Sequence, residues 1–93
     1  MAGRTLHLLV IGRVQGVGFR WFVAEEARRL DLAGWVKNNP DGSVEICALG
    51  DSDAIASLQR IAAKGPIGAS VSRVELLESS AIGDLSRPFS IAR

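Results

Sequence analysis

A glycine-rich segment, GRVQGVGFR at residues 12–20, places an arginine at the start of a predicted helix. A loop that leads into a helix N-terminus holds backbone N–H groups without helical acceptors, and the helix dipole adds positive charge there. Gly16 and Gly18 permit positive φ values, so the loop can curl its amides inward. Arg20 adds a planar guanidinium that can hold two oxygens of one anion. The segment therefore predicts a site for a phosphate-sized anion.

Two known phosphate-binding motifs do not fit this segment. A Walker loop needs Gly-Lys followed by Ser or Thr, but this segment has neither a lysine nor a hydroxyl. The dinucleotide fingerprint needs a third glycine three residues after Gly18, where this chain has Trp21. A plain turn, with Arg20 in solvent, is the competing interpretation. An arginine at a helix start opposes the helix dipole, which favours a functional reason for its presence.

Composition limits the classes of protein to consider. The 93 residues are predicted to form a single domain, residues 1–93, with a core of its own. A formal net charge of +1 gives no strong field for nucleic acid or an anionic membrane. The single cysteine, Cys47, excludes an internal disulfide, and the apolar run at residues 6–11 is too short to cross a bilayer. We expect a cytoplasmic protein, and its small size and balanced charge favour a monomer.

Periodicity along the chain predicts five strands and two helices. The strands lie at residues 5–14, which suit a central strand covered on both faces, and at residues 35–38, 43–49, 69–77 with a bulge near Ser72 and Arg73, and 89–91. The first helix begins at Phe19 and is closed by Gly34. The second follows a cap at Asp51 or Ser52 and ends at residues 64–66. The order predicts an α+β, ferredoxin-like sandwich (βαββαβ plus a short C-terminal strand), with both helices on one face of an antiparallel sheet.

Together with a second segment, GWVKNNPDGSVE at residues 34–45, the glycine-rich segment resembles the two signature motifs of acylphosphatases. Members of that family hydrolyse the carboxyl-phosphate bond of acyl phosphates. Residues 65–66, 69–71 and 89–91 also fall where the family has similar pieces, so the resemblance covers essentially the whole chain. It implies a hydrolase that acts on a small acyl phosphate, without a metal or other cofactor.

The resemblance also implies roles for individual residues. Asn38 would hold the attacking water, because the family motif places its asparagine directly after the basic residue, here Lys37. Asn39 then fits the turn before Pro40. The chain ends at Arg93, where many family members have a short aromatic or basic tail. The side chain of Arg20 would bind the phosphoryl group together with the backbone amides of Gln15, Gly16, Val17, Gly18, Phe19 and Arg20.

This set of residues lacks a nucleophile and a general base, which acyl phosphate hydrolysis permits. The leaving group is a carboxylate, a weak base that needs no protonation, and the loose transition state is stabilised by positioning and electrostatics. The carboxamide of Asn38 can accept from and donate to one water in line with phosphorus. We expect no metal site, since His7 stands alone and Asp51 with Asp53 fits a helix start.

The other conspicuous side chains have structural interpretations. The Gln15 side chain is predicted to brace its loop, and His7 to lie on the strand surface or have its hydrogen bonds satisfied. Trp21 and Trp35 are predicted to pack against the sheet or a helix rather than line a substrate mouth. Cys47 is expected to be a half-buried structural thiol. Four charged residues are predicted to form a solvated helix face, with Glu25 paired to Arg29: Glu25, Glu26, Arg28 and Arg29.

Non-enzymatic functions remain as alternatives, because the fold alone does not determine the chemistry. An RNA-recognition sheet has aromatic residues on its central strands, and residues 5–14 and 43–49 contain none. A regulatory ligand-binding module, or a non-catalytic domain that feeds a larger enzyme, also fits the pattern. The expected contacts hold the phosphoryl end of the substrate, so they predict broad tolerance of the acyl group and do not name it.

Overall fold

The computed structural model describes residues 3–78 and 85–92, which build one sheet and two helices. In chain order the elements are β1 (Gly3–Arg13), α1 (Phe19–Arg29), β2 (Ala33–Asn38), β3 (Val44–Asp51), α2 (Ser52–Lys64), β4 (Ser70–Leu76) and β5 (Ser90–Ile91). This order confirms the predicted ferredoxin-like α+β pattern with its short C-terminal strand. The terminal Arg93 lies outside the described residues.

The sheet is mixed, which corrects the prediction of a purely antiparallel sheet. Its strand order is β4-β1-β3-β2-β5, and all pairings among β1 to β4 are antiparallel. β5 pairs parallel to β2, with Ser90 opposite Trp35 and Ile91 opposite Val36. β4 and β5 lie at opposite edges of the sheet, so β5 is not a hairpin partner of β4. The parallel pairing is therefore made with β2, from which β5 is separated in the chain by two strands and two long connections.

One face of the sheet packs against both helices to form the hydrophobic core. In β1 the residues on that face, Leu6, Leu8 and Val10, are buried, while His7 and Leu9 on the other face are only partly buried. The expectation that β1 is covered on both faces is therefore wrong, because the two helices contact each other on the same side. The helices contribute Phe19, Val23, Ala24 and Ala27 from α1, and Ile55, Leu58 and Ala62 from α2.

β4 has a bulge where it pairs with the last residues of β1, next to the glycine-rich segment. Ile11 pairs with Arg73 and Gly12 pairs with Val71, so Ser72 has no residue opposite it. This confirms the predicted bulge, which adds twist at the end of a strand pair. β1 ends one residue later, and residues 14–18, here called the glycine loop, connect it to α1.

Gly34 lies in β2 and is not the glycine that closes α1. The helix ends at Arg29, and Asp31 takes the positive φ value, 58°, that the sequence was expected to assign to a glycine. Gly34 has a φ of 136°, and a Cβ atom at this position would overlap the carbonyl oxygen of Cys47 on β3. The close approach of two strands therefore requires glycine here.

We predict that Gly34→Ala destabilises the fold far more than Gly68→Ala does. Both glycines have positive φ values, but a Cβ at Gly68 meets nothing within 4 Å. Gly68→Ala should therefore cost only the backbone term of about 1–2 kcal/mol. Gly34→Ala adds a backbone clash, so its loss in the free energy of unfolding should exceed about 3 kcal/mol. Urea denaturation measures both values, and equal losses would show that Gly34 is not sterically constrained.

Candidate active site

The glycine loop presents a row of unpaired backbone donors at the N-terminus of α1. Gly16 and Gly18 have φ values of 76° and 78°, and Gly18 is the N-cap residue, without a side chain to cap the helix. No residue in the described part of the chain accepts a hydrogen bond from the N–H groups of residues 15–21. The first backbone bond after the loop runs from Phe22 to the carbonyl of Gly18 over 3.0 Å. These donors and the helix dipole favour an anion at this position.

Arg20 and Asn38 line the same cavity, of about 150 Å³, at the mouth of this loop. The guanidinium of Arg20 makes no hydrogen bond or ion pair with any residue that the structure describes. Gln15 and Val17, whose amides the sequence also predicts to bind phosphate, belong to the loop but do not line the cavity. The full lining consists of Val14, Gly16, Gly18, Phe19, Arg20, Trp21 and Asn38.

Asn38 holds a buried polar atom without a partner. It is the last residue of β2, opposite Val44 of β3, and its Oδ1 atom has no hydrogen-bond partner within residues 3–78 and 85–92. Leaving a buried acceptor unpaired costs roughly 1–3 kcal/mol, so its retention calls for a reason such as a catalytic role or a bound water. The unpaired carboxamide oxygen is therefore a candidate acceptor for a ligand or a water molecule in the cavity.

Gln15 ties the glycine loop to the turn that follows Asn38. Its Nε2 atom donates to the backbone carbonyls of Asn39 and Ser43, at 2.9 Å in both cases. The predicted bracing role of the Gln15 side chain is thus confirmed. Asn39 is also structural, because its Nδ2 atom donates to Ser43 Oγ at 3.1 Å and to Glu45 Oε1 at 3.2 Å. The two halves of the site are held together by side-chain-to-backbone hydrogen bonds.

Glu45 fixes the orientation of Asn39 from the open face of the sheet. His7 Nε2 lies 2.6 Å from Glu45 Oε2, so His7 is a satisfied residue as predicted. Burial raises the pKa of Glu45, but hydrogen bonds from His7 and Asn39, with the charge of Lys37, hold the net pKa below its ordinary value. Glu45 is therefore an anion that only accepts hydrogen bonds, and Asn39 must turn its NH₂ group toward it.

Cys47 has no reactive character. It is fully buried, not half-buried as expected, and burial together with the charge of Glu45 raises its pKa to about 11. A neutral buried thiol is neither a nucleophile nor a metal ligand at neutral pH. Within the described ranges, no three His, Cys, Asp or Glu side chains cluster as metal ligands would. None of the helices in those ranges has the length and apolar character needed to span a membrane.

Trp21 lines the cavity, contrary to the prediction that it packs away from it. Its side chain is 68% exposed, because it lies off the apolar stripe of Phe19, Val23 and Ala27 that faces the sheet. Trp35 is partly buried, as predicted, with its ring centroid 6.2 Å from that of His7. Trp21, and not Trp35, therefore lines this cavity.

The charged side of α1 is not uniformly solvated. Arg29 pairs with Glu26 at 3.7 Å, rather than with Glu25 as predicted. Arg28 donates from Nε to the carbonyl of Phe89 at 2.7 Å and helps to line a second cavity beside Arg20. Arg28 was predicted to be solvated, and its place beside a cavity was not predicted. The available signal was its spacing of seven residues from Trp21, which places both side chains on one face of a helix.

Comparison with known proteins identifies the relatives of this chain. A family model described as Acylphosphatase matches residues 6–91. A curated acylphosphatase from Bifidobacterium longum is 46% identical over 85 residues, which are 91% of this chain and 88% of that protein. An acylphosphatase crystal structure from Bacillus subtilis matches with a TM-score of 0.86 at 43% identity, over 96% of this chain and 98% of that chain. In T. kodakarensis HypF, 12% of the chain matches 95% of this one, with a TM-score of 0.79 at 35% identity.

We predict that Gln15→Ala loosens the connection between the glycine loop and the turn after Asn38. The carbonyls of Asn39 and Ser43 each keep one backbone partner, so the free energy of unfolding should fall by only about 1–2 kcal/mol. Gln59→Ala, a partly buried position on α2, is the matched control and should change stability by less than about 0.5 kcal/mol. Thermal or urea unfolding compares the two. Equal effects at both positions would contradict the bracing role.

Proposed function

Because this chain belongs to the acylphosphatase family, its activity is the hydrolysis of acyl phosphates, and we propose that Arg20, Asn38 and the glycine loop carry it out. The observation that supports this assignment is the shared cavity. It combines a guanidinium, backbone donors at a helix N-terminus and an unpaired carboxamide oxygen. A tetrahedral phosphoryl group offers oxygen acceptors for both the guanidinium and the backbone donors.

The positive charge of Arg20 and the orientation of the loop amides together bind the phosphoryl group. The guanidinium of Arg20 donates two parallel hydrogen bonds to phosphoryl oxygens, and the amides of residues 15–20 donate to the remaining lone pairs. Charge spreads over the equatorial oxygens in the transition state, where fixed donors stabilise it without reorganising. The amides of Gln15 and Val17 are included as donors because they belong to the same loop, although their residues do not line the cavity.

Asn38 positions the attacking water. Its Oδ1 atom accepts a hydrogen bond from the water, which turns a lone pair of the water oxygen toward phosphorus. The new bond forms between the water oxygen and phosphorus, while the bond between phosphorus and the carboxyl oxygen breaks. The leaving carboxylate takes the electron pair of the broken bond, and a phosphoryl oxygen receives the proton of the water. The products are a carboxylate and inorganic phosphate.

We also propose the setting in which the chain works. Residues 1–93 form a single domain that acts as a cytoplasmic monomer without a metal or other cofactor. A buried, neutral thiol at Cys47 suits a reducing compartment. The alternative of a non-catalytic domain in a larger protein has one observation in its favour, the similarity to a region of HypF.

Kinetics with benzoyl phosphate in excess chelator test the two assigned side chains. Arg20→Gln should lower kcat/KM on the order of 100- to 1,000-fold, because it removes a donor that is stronger in the transition state. Asn38→Ala should lower kcat by at least roughly 100-fold and leave the affinity for inorganic phosphate unchanged, because the water and not the phosphate loses its partner.

Arg29→Gln is the matched control for charge, since Arg29 lies on the same helix with a side chain that is 70% exposed. It should keep the activity of the unmodified chain. Each variant is checked for folding by circular dichroism. Near-normal turnover in both Arg20→Gln and Asn38→Ala would refute the assignment, and loss of activity in chelator would refute the metal-independent mechanism.

A further inference from the structure

A second cavity lies beside the proposed phosphate site along α1. It has a volume of about 520 Å³ and lies between α1 and β5. Arg20 and Trp21 line both cavities, so the two are adjacent and share these side chains. We call the second one the acyl groove, and its lining consists of Arg20, Trp21, Arg28, Ser90 and Ile91. The lining contains two guanidiniums and no carboxylate.

Arg28 is a cation with one end held in place. Its Nε atom donates to the backbone carbonyl of Phe89 at 2.7 Å, and Phe89 itself is fully buried. Its two terminal nitrogens have no hydrogen-bond or ion-pair partner among the residues that the structure covers. An arginine fixed through Nε has lost part of its conformational freedom already, so binding an anion costs it less entropy.

The spacing along α1 suits a short substrate with charges at both ends. Arg20 and Arg28 are eight residues apart on one helix, which corresponds to about 12 Å between their Cα atoms. Their long side chains can bring the two guanidiniums closer than this. Trp21 lies on the same face as Arg28, and its exposed indole can cover an acyl chain between the two charges.

We propose that the acyl groove selects acyl phosphates whose acyl group ends in a second anion, such as a carboxylate. This proposal rests on the proposed function, because it requires the phosphoryl group to bind at Arg20 and the glycine loop. The acyl chain then leaves the phosphate site past Trp21, and its terminal carboxylate meets the free nitrogens of Arg28. The groove thus narrows the broad tolerance that the sequence alone predicts.

Among the described residues, two carboxylates lie near Arg28, those of Glu25 and Asp31. Asp31 lines a separate cavity with Arg28 and pairs with Arg87 at 3.4 Å. Glu25 lies between Trp21 and Arg28 on the same helix face but does not line the groove. It also forms no ion pair with Arg28. Glu25 therefore leaves Arg28 free to bind a substrate. It weakens the electrostatic field of Arg28 only across solvent.

Two substrates of matched length test the proposal. Succinyl phosphate carries a terminal carboxylate, and butyryl phosphate carries a methyl group at the same position. The measured quantity is the ratio of their kcat/KM values, which cancels any general loss of activity. The unmodified chain should favour succinyl phosphate, and Arg28→Met should lower the ratio roughly three- to tenfold. Glu25→Gln should raise the ratio, because it removes a repulsive charge.

Arg29→Met is the matched control, since it removes one positive charge from the same helix outside the groove. It should leave the ratio unchanged. An unchanged ratio in Arg28→Met, or an equal fall in Arg29→Met, would overturn the proposal. Hydrolysis of butyryl phosphate by the unmodified chain reports separately on the proposed function. If the chain hydrolyses butyryl phosphate but the ratio does not respond to Arg28→Met, the groove proposal is wrong and the proposed function stands. If it hydrolyses neither substrate, the proposed function is wrong.

Inhibitor binding to the unmodified chain tests the proposal without any substitution, so the result does not depend on whether a variant folds. Pentylphosphonate and its analogue with a terminal carboxylate are non-hydrolysable mimics of the two substrates. The carboxylate analogue should inhibit more strongly in competition with benzoyl phosphate, and added salt should reduce its advantage. Equal inhibition by the two phosphonates at low salt would also overturn the proposal.

Discussion

The contact between the glycine loop and the β2–β3 turn fixes the distance between Arg20 and Asn38, on which the rest of the site depends. β1 and β2 both pair antiparallel with β3, so they run in the same direction, and their C-terminal ends lie at the same end of the sheet. Val10 of β1 and Asn38 of β2 lie on either side of Val44. The side chain of Gln15 then closes the remaining gap with two hydrogen bonds to the turn. A site built from two distant segments thereby becomes one rigid unit.

The same site leaves polar groups unpaired that an inert fold would have satisfied. The amides at the start of α1 and the Oδ1 atom of Asn38 find no partner in the described ranges. Each such group reduces the stability of the free protein, and each is available to a bound phosphoryl group or a positioned water. The buried core, with Phe19 at the end of the loop, supports this arrangement. Local conflict with the usual rules for stability is typical of a functional site.

The sequence predicts the structure correctly where a local pattern determines it. The glycine loop, the β4 bulge and the bracing role of Gln15 all follow from residue type and spacing over short distances. The choice of Asn38 rather than Asn39 came from the family resemblance, and the structure gives Asn39 hydrogen bonds within its own turn. Prediction from the sequence fails where distant segments decide. The sequence around Gly34 fits a helix end, but strand packing against Cys47 on β3 is what requires glycine. Arg28 looks solvated until the buried carbonyl of Phe89, far along the chain, anchors it.

The proposed mechanism requires that one phosphoryl-sized anion binds to the glycine loop and Arg20. Binding can be followed by NMR in a titration of the ¹⁵N-labelled chain with inorganic phosphate in chelator. We expect saturable shifts at the amides of residues 15–20 and at the Arg20 side chain, with a single dissociation constant. Shifts that do not saturate, or that occur at other arginines and lysines while the glycine loop stays unchanged, would contradict the mechanism.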